Sequence, residues 1–394
     1  MKYCKKCVTP DTRPDLEFNK EGICSACQMA SKKLNINWEE RKKNLESILN
    51  SHRRTDDHVY DCIVPVSGGK DSIYQTYMAK NVFNMNPLCI TWRSLARTNR
   101  GQENLNALRS LGVDHIDFTS NPSGINKITR LAFEEFGDCS LVDHLAIYNL
   151  IPNLALRLNI PLIIWGENPY MEYGGDKERA DQNKQSNKIV RENHILKGKA
   201  TLDWVSKHIS RREINSFVSP DEQELDLIDY EPIYLGFYIP WDAKKNKEIA
   251  IQNGFKPREK GPIMGIYDYA DLDCINIVIH HYFKWLKFGF NRITDNASNE
   301  IRKGRMTREE AIEMVKKFDG FKPPVEYIKA FCSQIRISEK FFWEIGEKFR
   351  NKKIWKKNEK QEWYISDWIG GDKIPDKFPH TKLSSEESFF LSKN

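Results

Sequence analysis

The chain has 394 residues, of which 40% are hydrophobic and 29% are charged, and its formal net charge is +6. This composition is typical of a soluble globular protein with two or three domains. No apolar run approaches the roughly 18–20 residues of a membrane span, so we expect no membrane contact. The N-terminus, M-K-Y-C-K-K-C, lacks the apolar region of a signal peptide and predicts a cytoplasmic location. The mild positive charge suits anionic substrates without requiring nucleic acid.

Four of the nine cysteines lie in the first 27 residues, as the pairs Cys4-x-x-Cys7 and Cys24-x-x-Cys27. This spacing is typical of a zinc ribbon, in which each pair directs two thiolates at one ion and four close a tetrahedral site. Disulfides are the alternative, but they are rare in cytosolic proteins. The pattern therefore predicts a structural zinc site without an open coordination position.

A charged amphipathic helix is predicted over 35–54, and strands then alternate with helices. Such alternation is typical of an α/β protein with a parallel sheet, whose ligands bind outside the carboxyl ends of the strands. The predicted strands are Tyr60–Val66, Asn86–Trp92, Asp114–Phe118 and Pro161–Trp165, and the predicted helices between them are Ile73–Phe83, Asn99–Leu111, Asn126–Phe136 and Leu141–Leu158.

The first strand leads into Ser67-Gly68-Gly69-Lys70-Asp71-Ser72 and then into a helix. Two glycines permit a tight turn with uncovered backbone N–H groups, and a helix N-terminus attracts anions. Ser67 and Ser72 add hydroxyl donors, Lys70 adds a positive charge, and Asp71 is explained best as a Mg²⁺ ligand beside a phosphate. The Walker A pattern is absent, and the alternative is a plain Gly-Gly turn with polar neighbours. We interpret the loop as a nucleotide site.

The ends of the second and fourth strands are expected to face the same nucleotide. Thr91 and Trp92 end the second strand, and Gly166 follows the fourth. Core packing is an equally good interpretation of Trp92.

The segment Gly166–Gly175, G-E-N-P-Y-M-E-Y-G-G, is polar and glycine-rich. Its carboxylates, amide and aromatic rings can hold a sugar, with Glu167 at the reaction centre and Asn168, Glu172 and Tyr173 on the substrate. Glu167 or Glu172 can alternatively complete a Mg²⁺ site, and a solvated loop is the third possibility.

The rest of the chain carries clustered positive charge. Residues 176–224 read as an insertion over the site, strand-like sequence follows over 228–241, and helices are expected over 243–253 and 272–288. Clustered arginines can bind a diphosphate, since guanidinium groups match phosphate oxygens. A helix is predicted to stop at Gly304, and a capping box, Thr307 with Glu310, to start the next. The tail is predicted to be helical and aromatic-rich. The basic residues of the insertion are Arg191, Lys197, Lys199, Lys207, Arg211 and Arg212, and the clustered arginines are Arg292, Arg302, Arg305 and Arg308.

These motifs together resemble the N-acetyl sugar amidotransferase family, which are PP-loop (ATP pyrophosphatase) proteins of surface-polysaccharide and nonulosonic-acid pathways. The resemblance runs nearly end to end. It rests on the paired Cys-x-x-Cys motifs with Thr12, Arg13 and Pro14 between them, S-G-G-K-D-S, W-G-E-N-P with E-Y-G-G, and K-F-G-F…D…I-R-x-G-x-x-T-R-E-E. It implies a HUP/Rossmann-like domain that uses ATP to convert an N-acetyl group into an acetamidino group on a free or nucleotide-linked sugar.

The implied chemistry is consistent with the residues. Transfer of AMP to the amide oxygen creates an imidate that ammonia can attack, while the loop, Lys70 and Mg²⁺ stabilise departing pyrophosphate. Position 2 is Lys, Cys4 and Cys7 are assigned to metal, and Cys62 and Cys89 lie in strands, so no glutaminase nucleophile is available. A separate glutaminase subunit is therefore expected to supply ammonia.

We predict four regions: a zinc ribbon at 1–33, a linker helix at 34–57, a PP-loop domain at 58–265 and a helical region at 266–394.

Two other functions are compatible with the motifs. A tRNA thiolase also combines a PP-loop with zinc knuckles, and Cys139 is its candidate catalytic cysteine. The second alternative is a zinc-ribbon scaffold that binds nucleotide without catalysis, although Lys70 and Asp71 argue against it.

Overall fold

A computed structural model describes residues 1–54, 60–175, 182–185, 201–206 and 208–371. Its centre is a five-stranded sheet in which every neighbouring pair is parallel, in the order β3-β2-β1-β4-β5. The strands are β1 (Cys62–Pro65), β2 (Pro87–Trp92), β3 (Asp114–Phe118), β4 (Leu162–Trp165) and β5 (Glu231–Tyr234). All residues of β1 and β2 are buried, as expected for strands covered on both faces.

Helices cover both faces of this sheet because successive strand residues point in opposite directions. Cys62 and Val64 pack on one face, in a core shared with α2, α3 and α10, while Ile63 packs on the other against α5 and α6. The helices up to this point are α1 (Ser25–Lys33), α2 (Trp38–Ser51), α3 (Lys70–Tyr77), α4 (Asn99–Ala107), α5 (Pro122–Phe136), α6 (Leu141–Leu158), α7 (Pro169–Tyr173), α8 (Glu222–Asp226), α9 (Leu235–Tyr238) and α10 (Ala243–Gln252).

The C-terminal region forms its own core, in which Phe133 of α5 packs edge-on against Phe283 and Phe331. Trp285 lies at its other side, against Trp355 and Trp368. The elements are α11 (Asn276–Phe288), α12 (Arg292–Arg302), α13 (Arg308–Phe318), α14 (Val325–Ile335), α15 (Glu339–Phe349) and a hairpin of β6 (Trp355–Lys357) and β7 (Trp363–Ile365). Within the described part of the chain, no helix is both long and apolar enough to cross a membrane.

The predicted α/β class is confirmed, with a parallel sheet, a helical C-terminal region and an N-terminal cysteine cluster compatible with a zinc ribbon. The capping box at Thr307 and Glu310 is also confirmed. The four region boundaries stay predictions.

Two expectations were wrong. The strand predicted over 228–241 stops at Tyr234, and α9 follows at once. The strand ends because the backbone turns toward the segment after β4. In this turn the Gly236 N–H donates to Gly166 O at 2.9 Å. In the tail, Trp355 and Trp363 lie in a β-hairpin rather than a helix, where both rings stack against the Arg350 guanidinium.

Candidate functional site

A cleft of about 260 Å³ opens at the carboxyl ends of β1 and β4. From β1 the chain proceeds to β2 on one side, and it later returns to β4 on the other side. The cleft therefore lies at the topological switch point, where α/β sheets bind their ligands. Its lining combines residues of the loop after β1, of β2, of α6 and of the segment after β4: Pro65, Val66, Ser67, Asp71, Ser72, Gln75, Ile90, Trp92, Ile147, Tyr148, Leu150, Ile151, Trp165, Gly166, Glu167, Pro169 and Tyr234.

The loop after β1 is held in shape by its own serines. Ser67 N–H donates to Ser72 Oγ at 2.8 Å, and Gly69 N–H donates to Ser67 Oγ at 3.2 Å. Gly68 has φ of +84°, and a Cβ there would come within 2.9 Å of Leu105 on α4. Since α3 begins at Lys70, its N-terminal end faces the cleft and favours an anion there.

Lys70 and Asp71 form an ion pair, with Nζ donating to Oδ2 at 2.5 Å. The other oxygen, Oδ1, accepts from Asn246 Nδ2 of α10 at 3.0 Å. Asn246 is 1% exposed and has no local sequence signal for this role, so sequence reasoning missed it. The assignments of Lys70 to phosphate and of Asp71 to Mg²⁺ stay predictions. A carboxylate at the rim of the cleft, held by an amide, suits such a hard cation.

Of the three residues expected to face the nucleotide, Trp92 and Gly166 line the cleft. Thr91 does not, because its hydroxyl donates to Val66 O at 2.7 Å and it is only 2% exposed. This hydrogen bond holds the end of β1 against β2. Trp92 also satisfies the core-packing interpretation, as its indole N–H donates to Asp143 at 3.2 Å and its ring lies edge-on to Phe217.

Glu167 projects into the cleft directly after β4 and is half-buried. Burial raises the pKa of its carboxyl to about 8, and the neighbouring Glu172 and Asp71 carboxylates add to the shift. A carboxyl that titrates near neutral pH is suited to proton transfer.

The residues after Glu167 depart from the prediction. Asn168, expected to bind substrate, caps α7 instead: its Oδ1 accepts from Tyr170 N at 3.0 Å and from Met171 N at 3.3 Å, and its amide donates to Gln182 O at 3.2 Å. Its polar groups are used by the protein because a helix start needs a side-chain acceptor.

Glu172 points away from the cleft. It is buried in an ion pair with Lys33 of α1, with Lys303 Nζ at 4.0 Å, beside a second cavity of about 240 Å³. Glu172 thus lines the second cavity and not the cleft, and its contact with a sugar or with Mg²⁺ stays a prediction. Tyr173 is not among the residues that line the cleft, but Glu167 acts on it electrostatically, and the Arg13 guanidinium lies 5.6 Å from its ring centroid.

The four C-terminal arginines do not converge as predicted. Arg292 Nε donates to Asp271 at 2.8 Å. Arg302 lies against the cysteine cluster. Burial lowers the pKa of its guanidinium, but the neighbouring thiolates outweigh this effect and raise the pKa overall. Arg305 pairs with Asp242 at 2.8 Å and with Glu300 at 2.6 Å, and Arg308 donates to Cys7 O at 3.3 Å. The arginines are separated because Arg292 and Arg302 lie at opposite ends of α12, Arg305 lies in the turn after it, and Arg308 begins α13.

Much of the predicted basic insertion, including Arg191, Lys197, Lys199 and Lys207, lies outside the described residues. Arg211 and Arg212 are exposed in a short 3₁₀-helix, Arg211–Phe217, and are not among the residues that line the cleft.

The four N-terminal thiols are buried, and their sulfur atoms all lie within 4.8 Å of one another. Cys4 and Cys27 Sγ are 4.0 Å apart, and Cys7 and Cys24 Sγ are 3.7 Å apart. Tetrahedral Zn–S bonds of about 2.3 Å require sulfur separations of about 3.8 Å. The donor set therefore fits one tetrahedral metal ion, and all nine cysteines of the chain are free of disulfides.

The cluster joins the N-terminal segment to α12. Ile301 packs against the thiols, and Thr9 Oγ1 donates to Ser298 Oγ at 2.9 Å. Any metal held there thus stabilises the docking of α12 as well as the ribbon itself.

Comparison with known proteins bears on the C-terminal region. Residues 265–369 match the family model of the LPS biosynthesis protein WbpG-like, C-terminal domain. The match supports the predicted resemblance to proteins of surface-polysaccharide pathways and spans α11 to α15 and the hairpin.

Individual relatives are more distant. An uncharacterized protein of Methanocaldococcus jannaschii is 33% identical over 113 residues, which are 28% of this chain and 40% of that protein. NMN synthetase from Francisella tularensis has 16% identity and a TM-score of 0.27, covering 55% of this chain and 93% of its own. The U34-tRNA thiolase NcsA from Methanococcus maripaludis, with its [4Fe-4S] cluster, has 14% identity and a TM-score of 0.25, covering 64% and 80%. At such low values neither structural likeness assigns a function.

Proposed function

We propose that the protein is an ATP-dependent amidotransferase that converts the N-acetyl group of a sugar into an acetamidino group, releasing AMP and pyrophosphate. One observation chiefly supports this proposal: the Ser67–Ser72 loop and Glu167 line the same cleft at the switch point of the sheet. The WbpG-like C-terminal match supports a sugar of surface polysaccharides as the substrate class.

In the proposed first step, the amide oxygen of the N-acetyl group attacks the α-phosphorus of ATP, and the bond to pyrophosphate breaks. The N–H groups of the loop, the Ser67 and Ser72 hydroxyls and Lys70 stabilise the charge on the departing pyrophosphate. Lys70 exchanges its partner Asp71 for phosphate in this step, which frees the Asp71 carboxylate. Mg²⁺ on Asp71 would supply further charge neutralisation.

In the second step, ammonia attacks the imidate carbon, a C–N bond forms, and AMP leaves with the former amide oxygen. The attacking nitrogen must lose a proton. Glu167 is the acceptor that the cleft offers, since its raised pKa lets it hold a proton near neutral pH and release it again.

We further propose that ammonia comes from a separate glutaminase subunit. The five cysteines outside the N-terminal cluster are unsuited to nucleophilic attack, because burial raises the pKa of every one of these thiols. They are Cys62, Cys89, Cys139, Cys274 and Cys332. The same observation argues against the thiolase alternative, whose candidate Cys139 is only 2% exposed.

The test is AMP and pyrophosphate release from ATP, with ammonium salt and a panel of N-acetylated free and nucleotide-linked sugars. We expect AMP release that depends on sugar, and a product about one mass unit lighter, since NH replaces O. AMP release that requires tRNA instead would favour the thiolase, and nucleotide binding without AMP would favour the scaffold.

A further inference from the structure

Three cationic side chains from three segments of the chain converge around Asp271 and Asp295. Arg13 comes from the N-terminal segment, Lys284 from α11 and Arg292 from α12. Arg13 and Lys284 each donate to one oxygen of Asp295, and Arg292 donates to Asp271 at 2.8 Å. Arg13, Lys284 and Arg292 form what we call the cation cluster.

The cations of the cluster outnumber the carboxylates that contact them. Its three cations face the two carboxylates of Asp271 and Asp295. A third carboxyl, Asp319, is completely buried behind Asn291 and Thr294, and burial raises its pKa to about 7. His281, which faces Asp271 at 3.7 Å, has its pKa lowered by burial to about 4 and is neutral. Like charges held together at low dielectric favour binding of an additional anion.

The cations also lie nearer to solvent than their partners. The side chains of Arg13, Lys284 and Arg292 are 22%, 15% and 23% exposed, whereas those of Asp295 and Asp271 are 4% and 10% exposed. The carboxylates therefore hold the cations from the buried side, and part of each cationic side chain stays exposed. Arginine forks of this kind match the paired oxygens of phosphate and carboxylate.

The cluster adjoins the proposed reaction centre. Arg292 acts electrostatically on both Glu167 and Tyr173, and the Arg13 guanidinium lies over the Tyr173 ring. A sugar whose N-acetyl group meets Glu167 can thus extend across Tyr173 toward the cluster.

We propose that Arg13, Lys284 and Arg292 form an anion subsite that binds the phosphate or carboxylate group carried by the sugar substrate. The proposal rests on the proposed function for the identity of the ligand, but not for the existence of the site. It replaces the four-arginine cluster expected from sequence with one that only the fold assembles.

Isothermal titration calorimetry on the full chain can test the subsite. The protein is first saturated with α,β-methylene-ATP, which occupies the loop after β1 and cannot be cleaved at the α–β bond. It is then titrated with UDP as the phosphate probe and with N-acetylneuraminic acid as the carboxylate probe. We expect at least one probe to bind, and the probe that binds identifies the group on the substrate.

Arg292→Gln should weaken that binding roughly tenfold or more, because a charged hydrogen-bond donor is lost. Arg292→Lys should recover part of the affinity. Arg305→Gln is the matched control, since Arg305 also pairs with two carboxylates but lies outside the cluster, and it should bind as the wild type does. If Arg292→Gln fails to fold, Lys284→Gln takes its place with the same expectation.

Equal probe affinity in the wild type and the cluster variants, or no binding of either probe, would overturn the subsite. Absence of α,β-methylene-ATP binding would instead overturn the proposed function. The two failures are thereby distinguished, because probe binding is also measured without nucleotide.

Discussion

The two polar segments that follow β1 and β4 differ in how they use their side chains. In the loop after β1, the serine hydroxyls accept hydrogen bonds from backbone N–H groups of the same loop, and Ser67, Asp71 and Ser72 line the cleft. The segment after β4 contributes Glu167 to the cleft but commits Asn168 to a helix cap and Glu172 to lysines on other elements. Polar residues after a strand are therefore not all available to a ligand, because a new helix and a neighbouring domain compete for them.

The largest effect is expected in the loop after β1. Lys70→Ala should lower the rate of AMP release by about 100- to 1000-fold, since the positive charge that stabilises the departing pyrophosphate is lost. The rate is measured by single-turnover release of AMP. Lys80→Ala is the control, since Lys80 donates to Gly112 O and is not among the residues that line the cleft. An unchanged rate in Lys70→Ala would remove the loop from the chemistry.

Glu167 should give the next largest effect. Glu167→Gln is expected to lower the ammonia-dependent step by about 100-fold, as a proton acceptor is lost. With free ammonia held constant, the wild-type rate should rise with pH to a plateau above about 8, where Glu167 is ionised, and the variant should lose this rise. A variant with the same pH profile would exclude Glu167 as the acceptor.

Glu167 should also affect stability in a known direction. Its folded pKa of about 8 lies above the ordinary 4.5, so between these values the unfolded state releases a proton that the folded state keeps. The contribution of Glu167 to the free energy of unfolding should then fall as pH rises from about 4.5 to 8. Glu167→Gln should remove this dependence, so its melting temperature gains on the wild type as pH increases.

The cysteine cluster should show a smaller, local effect. Removal of metal by a chelator under reducing conditions, or Cys7→Ser, should make the first 33 residues about tenfold more sensitive to protease, since the thiols hold this segment to α12. Metal content is measured by atomic emission, and Cys274→Ser should leave it unchanged. If Cys7→Ser retained the metal, the ligand set would be wrong.

Asn168 should give the smallest effect. Asn168→Ala is expected to cost about 1 kcal/mol of stability through loss of the cap. Asn168→Asp keeps the capping oxygen and should recover most of it, as measured by urea unfolding. A rise in KM for the sugar without loss of stability would restore the predicted substrate contact.

Most of the sheet was predictable from the sequence. The apolar runs of β1, β2 and β4 and the turn chemistry of S-G-G-K-D-S are local signals, and so is the spacing of Cys4, Cys7, Cys24 and Cys27. Glu167 was found for the same reason, since it directly follows a recognisable strand. The role of Thr91 was not, because its hydroxyl is bonded to Val66 O on a neighbouring strand. The role of Asn168 was missed although Asn followed by Pro is a local signal for a helix start.

The sequence by itself thus determined the α/β class, the nucleotide-type loop and the thiol set, because each depends on residues close together in the chain. Only the tertiary structure brought Asn246 to Asp71 and gathered Arg13, Lys284 and Arg292 around Asp295. The Asn246–Asp71 and Arg13–Asp295 contacts join residues more than a hundred positions apart, and no local pattern encodes them. They form because burying the helices against the sheet and the ribbon against α12 brings their polar side chains within hydrogen-bonding distance.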